Sequence, residues 1–485
     1  DVLGLYEVID EFSKSIWDAT VEGWTSFKTG KSGKTGVNIT GCYTNATIAK
    51  RTFFYEYYNP YKFPIYDLNK DTDKFIRKSY QGGRVEAFRI RNIKEKFYMY
   101  DFTSLFPSEM IYDLPFGKPT YKTKEQIDID KFNGFIRCKV QQILPAQNIP
   151  NLHGVRGKDG LSFPTVNNWT EMTLYSYEIK KGLEYGMYRY EIIDGIHFKE
   201  GEVMKRFINK MYKLKRDSEA NGNKVMRKIA KIIINSSYGF WGLRRDGRDG
   251  CEIVDTINDP KIIDAWNEER LVSVGQIGNQ VVMRCEKSLD VKEVNVAIAS
   301  AITSRSRCRL WELLTDIKRK GGDLFYCDTD SIATNYKIED DEELMKKYCW
   351  DGNGKDLGSL KNEAVDMTKG EYDYFESGYI GGKKNYCFVL PDGQIKTSCK
   401  GYTFKMIEGK PYTKKADGTL EEITLNSYEN DLIQGEQTRF TCSKRDFCSE
   451  SHPFQVNYSK VDKRIITKYN SGTIQDDNSI MPNII

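Results

Sequence analysis

The sequence predicts an α+β fold in which an antiparallel sheet carries acidic residues at its strand ends and helices pack against it. Three segments predict this. Tyr326-Cys-Asp-Thr-Asp-Ser331 lies in a short apolar run behind Gly321-Gly322 and reads as strand, tight turn, strand. Lys96-Phe-Tyr-Met-Tyr-Asp101-Phe-Thr-Ser-Leu-Phe-Pro107 reads as a second strand ending on a carboxylate, with a helix from Ser104. Arg227-Lys-Ile-Ala-Lys231-Ile-Ile-Ile-Asn235-Ser-Ser-Tyr238-Gly239 reads as a helix.

Each segment carries chemistry. Side chains two apart on a strand share a face, so Asp328 and Asp330 are expected to point the same way, with Thr329 turned away and packed. Two carboxylates so placed repel unless a cation lies between them. With Asp101 they make three, the usual means of holding two Mg²⁺ ions for phosphoryl transfer. In the helix, Arg227, Lys231 and Asn235 recur every four residues and Tyr238 follows three later, so they share one side. Val225, Ile229, Ile232 and Ile233 fall on the other. Such a helix buries one face and offers cations to a triphosphate and a phenol to a base.

The remaining elements follow in order. Residues 1–24 read as a helix with Val2, Leu5, Ile9 and Phe12 on one side, and a short helix is expected near Asn45. Thr170 to Lys181 reads as a helix closed by Gly182, and Met187 to Phe198 as paired strands. Glu202 to Glu219 is a basic amphipathic helix that turns at Asn221-Gly222-Asn223 into the helix bearing Lys231. Val296 to Leu314 is a further helix, expected under the Asp328 hairpin. Beyond Asp373 the pattern turns to short strands and basic loops.

Composition narrows the class. A chain of 485 residues exceeds one core, so about two to four substructures are expected. The net charge of +4 makes any polyanion-binding surface local. The 31 Tyr and 24 Phe serve either as stacking surfaces or as ordinary core. No apolar run is long enough for a membrane span, and the first residues show no signal-peptide layout. The 11 cysteines are scattered without Cys-x-x-Cys pairs, as in an intracellular protein with reduced thiols. Cys442, Cys448 and His452 lack a fourth ligand at zinc spacing. His153 and His197 are isolated, and core or surface roles are expected for them.

These motifs resemble those of family B DNA polymerases. Asp101-Phe-Thr-Ser-Leu-Phe-Pro107 is similar to the first palm motif, Asp-x-x-Ser-Leu-Tyr-Pro. Lys231 to Gly239 is similar to the fingers motif, Lys-x-x-x-Asn-Ser-x-Tyr-Gly. Tyr326 to Ser331 is similar to the second palm motif, Tyr-x-Asp-Thr-Asp-Ser. Their order and wide separation also match. Tyr80-Gln-Gly82-Gly83 resembles the Tyr-x-Gly-Gly segment of the protein-primed branch of phages and linear plasmids, which touches template DNA. Lys384-Asn-Tyr386 resembles the Lys-x-Tyr motif that holds the primer terminus.

The resemblance implies a right-hand polymerase fold with an antiparallel palm sheet, helical fingers and a small thumb. On that frame, 1–24 is a remnant helix of an exonuclease region, and 25–95 a linker with the N-terminal part of the palm. Residues 96–113 hold the first palm motif, and 114–199 an insertion of the kind that contacts a terminal protein and duplex DNA. Fingers occupy 200–242. The palm, with a second insertion and the catalytic hairpin, takes 243–372, and the thumb and C-terminal region 373–485. Asp1 resembles the last metal ligand of a 3′–5′ exonuclease, so the chain is expected to extend primers without editing them. It reads equally as a piece of a longer or processed polypeptide and as an arbitrary boundary.

Residue roles follow from the same resemblance. Asp101 and Asp330 would bridge two Mg²⁺ ions, with Mn²⁺ able to substitute; the Phe102 carbonyl would complete one shell and Asp328 would support. Lys231 would reach an incoming phosphate as a point charge, and Arg227 the outer phosphates. The amides of Thr103, Ser104 and Leu105 open a helix and would cradle phosphate. Phe106 stands where most relatives carry Tyr and would lie against the 2′-carbon of the sugar. Asn235 completes the fingers pattern, Tyr238 would pack by the nascent base pair, and Gly239 would let the chain pass the template. DNA contacts, mostly to backbone, are expected at Tyr80, Gly82, Gly83, Lys384, Tyr386, Lys400 and Gly401. For Lys400-Gly401 a plain loop turn is an equal reading. Leu357 to Glu363 resembles an architectural turn near the palm.

The implied partners are primer–template DNA, deoxynucleoside triphosphates and a terminal protein primer, with the chain a monomer. Arg305, Arg307 and Arg309 are offered to DNA or to solvent. Two rivals stand beside this reading. A catalytically inactive nucleic-acid-binding relative is opposed by the intact Asp101, Asp330 and Lys231. An RNA-templated enzyme is opposed by Asp-Thr-Asp where such enzymes usually carry Tyr-x-Asp-Asp.

Overall fold

Strands drawn from four distant stretches of chain assemble the sheet that carries the acidic residues. In this computed structural model the described residues are 2–25, 32–39, 42, 44–143, 149–157, 160–243, 249–267, 271–277, 280–286, 294–399, 405–408, 410–414, 419–434, 438–446, 457–464, 469 and 471–485. They form two units. The first comprises residues 1–242, 295–398 and 468–485; the second comprises 243–294 and 399–467.

The first unit opens with helices α1 (Val2–Thr20), α2 (Asn45–Thr52) and α3 (Lys70–Arg77). Thr44 and Asn69 start α2 and α3 by accepting from the Thr47 and Thr72 amides. Strands β1 (Val85–Ala87), β2 (Arg91–Ile93) and β3 (Tyr98–Phe102) follow, then the short α4 (Leu105–Glu109). Next come β4 (Leu114–Thr123), β5 (Gly134–Gln142), β6 (Thr170–Tyr175), α5 (Ser176–Glu184) and β7 (Tyr188–Gly201). Helices α6 (Lys205–Ala220) and α7 (Lys224–Ser236) form a hairpin. Its turn needs the left-handed conformation that Gly222 adopts at φ +68°, and Asn223 caps α7 by accepting from the Met226 amide. Then come α8 (Val296–Arg319), β8 (Leu324–Asp328), β9 (Ser331–Thr334), β10 (Leu360–Asn362), β11 (Ser377–Gly382), β12 (Asn385–Val389) and β13 (Ile395–Ser398).

The central sheet has the order β10-β3-β9-β8-β1, antiparallel throughout. Alternation along β3 gives it two apolar faces. Tyr98, Tyr100 and Phe102 pack with Cys327 and Ile332 against Leu310, Leu313, Leu314 and Ile317 of α8. Phe97 and Met99 pack on the other side with Phe325, Tyr326, Phe375, Ile380 and Phe388. Several of the latter belong to a second sheet, β13-β12-β11-β2. Helix α8 is buried nearly all round, as a core helix should be, and it does lie under the hairpin as expected. Residues 114–199 form a third sheet, β6-β5-β7-β4, whose core reaches Cys308 and Trp311 of α8.

Four sequence expectations need correction. Thr170–Tyr175 is strand β6, and helix begins only at Ser176 and runs through Gly182; pairing with β5 overrides the helical spacing. Met187 to Phe198 is not two strands but part of one, β7, which bends at register shifts after Ile192 and after His197. On α7 the buried residues are Ile229, Ala230, Ile233 and Ile234, while Val225 is exposed. The stretch 373–485 is not one piece. Strand β11 pairs with β2 in the first unit, β12 and β13 extend that sheet, and Ile480 N–H donates to the Phe88 carbonyl at 2.9 Å.

The second unit holds a three-stranded sheet of Asp249–Val254, Gln280–Glu286 and Leu271–Ile277, with helix Pro260–Asn267. It also holds helix Leu425–Gln434 and the hairpin Thr438–Asp446 with Asn457–Arg464. Among the described residues no helix is long and apolar enough to cross a membrane.

Candidate active site

Strand β3 delivers Asp101 between two neighbours: Ser331 of β9 faces it on one side and Lys361 of β10 on the other. The Phe102 amide donates to the Asp330 carbonyl at 2.8 Å, tying the two motifs together. Phe102 itself is fully buried, its ring edge-on to Tyr348. Asp328 pairs with Ser331, so Thr329 and Asp330 form a two-residue turn rather than continuing a strand. Thr329 takes φ +62° there. Asp330 therefore owes its position to a chain reversal, not to the strand alternation that the sequence suggested. Thr329 packs against Gly83, but it does not turn away from the carboxylates as expected: its hydroxyl donates to Asp328 Oδ1 at 3.0 Å.

The carboxylates are electrostatically unequal. Asp101 is pushed up to about 8, first by burial and then by Asp330 and Glu363. Asp330 is pushed up to about 6 by burial and by Asp328. Both resist ionisation because removal from water and like charge disfavour the anion. Asp328 has a partner: Lys384 Nζ lies 2.6 and 2.7 Å from its two oxygens. The Lys384 amide donates to the Tyr326 hydroxyl, which in turn reaches Asp328 at 3.3 Å. Lys361 Nζ lies 4.0 Å from Asp101, 3.0 Å from Glu363 and 2.7 Å from Asp366, and Lys396 pairs with Glu363.

A divalent cation fits the Asp101–Asp330 pair. The donors are all oxygen, suited to a hard ion, and their charge is only partly offset, because Lys361 at 4.0 Å from Asp101 is shared with Glu363 and Asp366. Asp328 lies near enough to the pair to raise Asp330. Among the described residues no three Asp, Glu, His or Cys side chains converge as a metal cluster. Asp328 is already held by Lys384.

Facing this site is the α6–α7 hairpin. Lys231 and Asn235 are exposed on α7. Arg227, Lys228, Lys231 and Asn235 line a cleft of about 750 Å³ together with Asn45 of α2. Arg227 pairs with Glu219 at 3.2 Å. Phe106 and Tyr238 meet edge-to-face with ring centres 4.8 Å apart, which joins α4 to the end of α7. The Thr103 amide is already given to the Ser359 carbonyl at 2.9 Å, so of the three expected cradle amides only those of Ser104 and Leu105 remain. Sequence reasoning missed two cations. Lys215 of α6 is pulled below the usual lysine range by burial and then by Lys231, with Arg227 and Lys361 adding to the effect. Lys361 sat inside a segment read as architectural. Neither carries a local signal beyond being basic.

The chain matches the family described as DNA polymerase type B, organellar and viral, over residues 1–319. It belongs to that family.

Among curated relatives, a probable DNA polymerase of Neurospora intermedia is 25% identical over 88% of this chain and 40% of its own length. A DNA-directed DNA polymerase of Enterobacteria phage PRD1 is 26% identical over 70% of this chain and 55% of its own. The chain thus spans about half or less of these relatives. Among solved structures, Phi29 DNA polymerase superposes with TM-score 0.54 at 18% identity, covering 88% of this chain and 68% of that one. Its complex with primer–template DNA and incoming nucleotide gives TM-score 0.53, covering 87% and 67%. At such identity the likeness is one of fold. It is the right-hand polymerase architecture, built of antiparallel sheets and packed helices.

In this type B polymerase the other expected contacts fall out unevenly. Tyr80 is half-buried against Gly242, where an added Cβ would lie 2.4 Å from its hydroxyl. Burial and then Tyr238 raise the Tyr80 phenol. Gly82 and Gly239 face open space, whereas Gly83 does not. Tyr386 stacks on Phe388 at 4.6 Å, with Lys384 exposed beside it. Lys400 and Gly401 lie outside the described residues, as do Asp1, Cys448 and His452.

The three arginines of α8 are turned inward onto protein partners. Arg305 pairs with buried Glu109 at 3.2 Å. Arg307 is 3% exposed. Arg309 donates to the Gly358 carbonyl at 3.3 Å. Burying a charge demands a partner, and each has found one that the linear sequence does not reveal. His153 is a core residue held by Glu178 and Tyr190.

Proposed function

We propose that this chain is a template-directed DNA polymerase that adds deoxynucleotides to a primer 3′-hydroxyl. The observation that carries the reading is the half-buried Asp101–Asp330 pair, both carboxyls raised, in a chain whose fingers helix presents Lys231 and Asn235. Asp101, Asp330 and the Phe102 carbonyl would hold two Mg²⁺ ions. When bound, these would activate the 3′-hydroxyl and neutralise the departing pyrophosphate.

The chain's own groups do the rest. Lys231, with Arg227 and Lys215, neutralises the triphosphate and orients it toward the palm. The edge-to-face pair of Phe106 and Tyr238 walls the sugar and base pocket, and the Phe106 ring excludes a 2′-hydroxyl. Lys384 compensates Asp328 and stands next to the path of the primer end. DNA backbone contacts are assigned to Tyr80, Gly82, Gly83, Gly239, Lys384, Tyr386 and Lys400. The branch assignment rests on Tyr80-Gln-Gly82-Gly83 and the sheet of residues 114–199: initiation on a hydroxyl of a terminal protein, with that sheet as its contact surface.

Primer extension on DNA and RNA templates, with and without Mg²⁺, tests the activity. Extension on DNA only with the metal is expected. Binding without incorporation would favour the inactive relative, and preference for the RNA template would favour an RNA-templated enzyme. Transfer of a labelled nucleotide to protein, lost when residues 114–199 are replaced by a short linker while primer extension persists, tests the priming role.

A further inference from the structure

Between the insertion and the catalytic hairpin runs a continuous chain of contacts that starts in the core. Glu178 of α5 is 2% exposed. It accepts from Ser304 Oγ at 2.6 Å and from Arg307 at 3.3 Å, and its other oxygen lies 3.0 Å from His153 Nδ1. The opposite edge of the His153 ring meets the Tyr190 hydroxyl at 2.7 Å. Arg307 Nη1 donates to the carbonyl oxygens of Gln81 at 2.8 Å and Gly82 at 3.2 Å. Its Nε has no partner. A buried donor left unsatisfied is rare and costly, so the two-pronged grip on the 81–82 backbone and Glu178 dictates how this side chain lies.

The gripped loop then bears on the hairpin tip. A Cβ on Gly83 would lie 2.8 Å from Thr329 Cγ2 and 2.9 Å from its Oγ1. The Thr329 amide donates to the Arg84 carbonyl at 2.6 Å. Arg84 is itself fixed: it is 1% exposed, is bonded to Glu86 and the Asn151 carbonyl, and lies 4.2 Å from the Phe163 ring centre. Thr329 separates the two hairpin aspartates and sits at positive φ, so its placement determines where Asp330 points.

We propose that Gln81–Arg84 is a brace that sets the catalytic hairpin, that Gly83 is glycine to admit Thr329, and that Arg307 is the positioning residue holding the brace. The insertion is thereby coupled through Glu178 to the carboxylates. This rests on the polymerase reading of the site, and it gives Gly83 a role inside the protein in addition to any contact with DNA.

The test measures two things on the full chain: Mg²⁺ affinity by calorimetry with the metal alone, and single-turnover incorporation with primer–template affinity determined separately. Gly83→Ala is expected to slow incorporation roughly 10- to 100-fold, as small misplacements of reacting groups do. It should weaken Mg²⁺ binding as well, with primer–template affinity nearly unchanged. Adding Thr329→Gly frees the space, so Gly83→Ala/Thr329→Gly should lose less than the product of the two single losses in both readouts. Arg307→Lys keeps the charge beside Glu178 but cannot hold both carbonyls. It should reproduce the Mg²⁺ defect while far-ultraviolet circular dichroism shows the fold intact. Additive losses, or a Gly83→Ala defect confined to DNA affinity, would overturn the brace. If the wild-type chain incorporates nothing, the polymerase reading fails instead, and the Mg²⁺ titrations of the same variants still decide the brace.

Discussion

Competition between protons and Mg²⁺ at Asp101 and Asp330 is the sharpest consequence of the site's electrostatics. Burial and mutual repulsion raise the coupled pair Asp101 and Asp330, to about 8 and about 6, so the metal-free site holds on to a proton near neutrality. At pH 7, Asp101 mostly keeps its proton, and expelling it to admit a cation costs about 1.4 kcal/mol per pH unit below its value. Apparent Mg²⁺ affinity should therefore rise roughly tenfold per unit between pH 6 and 8. It should level off above 8 and fall more steeply below 6, where Asp330 must also lose a proton. Half-saturating Mg²⁺ for single-nucleotide incorporation, at fixed DNA and saturating nucleotide, reads the slope. Calorimetry in buffers of different ionisation enthalpy counts about one proton released at pH 7. Stability follows with the opposite sign. Both carboxyls bind a proton more tightly when folded than the ordinary 3.8, so their contribution is full below about pH 4 and is lost as pH rises toward 8. Mg²⁺ should accordingly raise Tm more at pH 8.5 than at pH 6. A Mg²⁺ requirement independent of pH from 6 to 8.5 would refute the claim that these two carboxylates form the cation site.

Further outcomes are expected at single residues. Asp330→Asn should abolish incorporation while leaving primer–template binding within a few fold, and Asp328→Asn should hurt less because Lys384 already compensates Asp328; the reverse order in single-turnover rates would mean that their roles are exchanged. Lys361→Met removes the cation opposite Asp101 and should move the pH–Mg²⁺ profile to higher pH, a shift absent if Lys361 serves only Glu363 and Asp366. Phe106→Ala forfeits an aromatic contact with Tyr238 of about 1 kcal/mol and should admit ribonucleotides. An unchanged ribonucleotide-to-deoxynucleotide ratio would place the gate elsewhere. Lys231→Ala should lower both the rate and the nucleotide affinity, and a normal rate would remove Lys231 from phosphate contact.

What the sequence determined by itself was local. The capped turn at Asn221-Gly222-Asn223, the cationic and apolar sides of α7, and a carboxylate at the end of an apolar strand are properties of neighbours in the chain. They were legible because dihedral preference and side-chain periodicity act over a few residues. The family followed from three such patterns in order. Only the tertiary structure decided which charges meet. Lys384 on Asp328, Lys361 opposite Asp101, and Glu178 and Glu109 on the arginines of α8 are pairings across dozens to hundreds of residues. The sequence offered those arginines to DNA or to solvent, yet packing turned them inward onto partners from other elements. The assignment of Thr170–Tyr175 to strand and of β11 to β13 to the first unit was likewise settled by sheet partners. A strand's hydrogen bonds and a buried ion's counter-charge are supplied by remote segments, so their identity is written in the packing and not in the local run of residues.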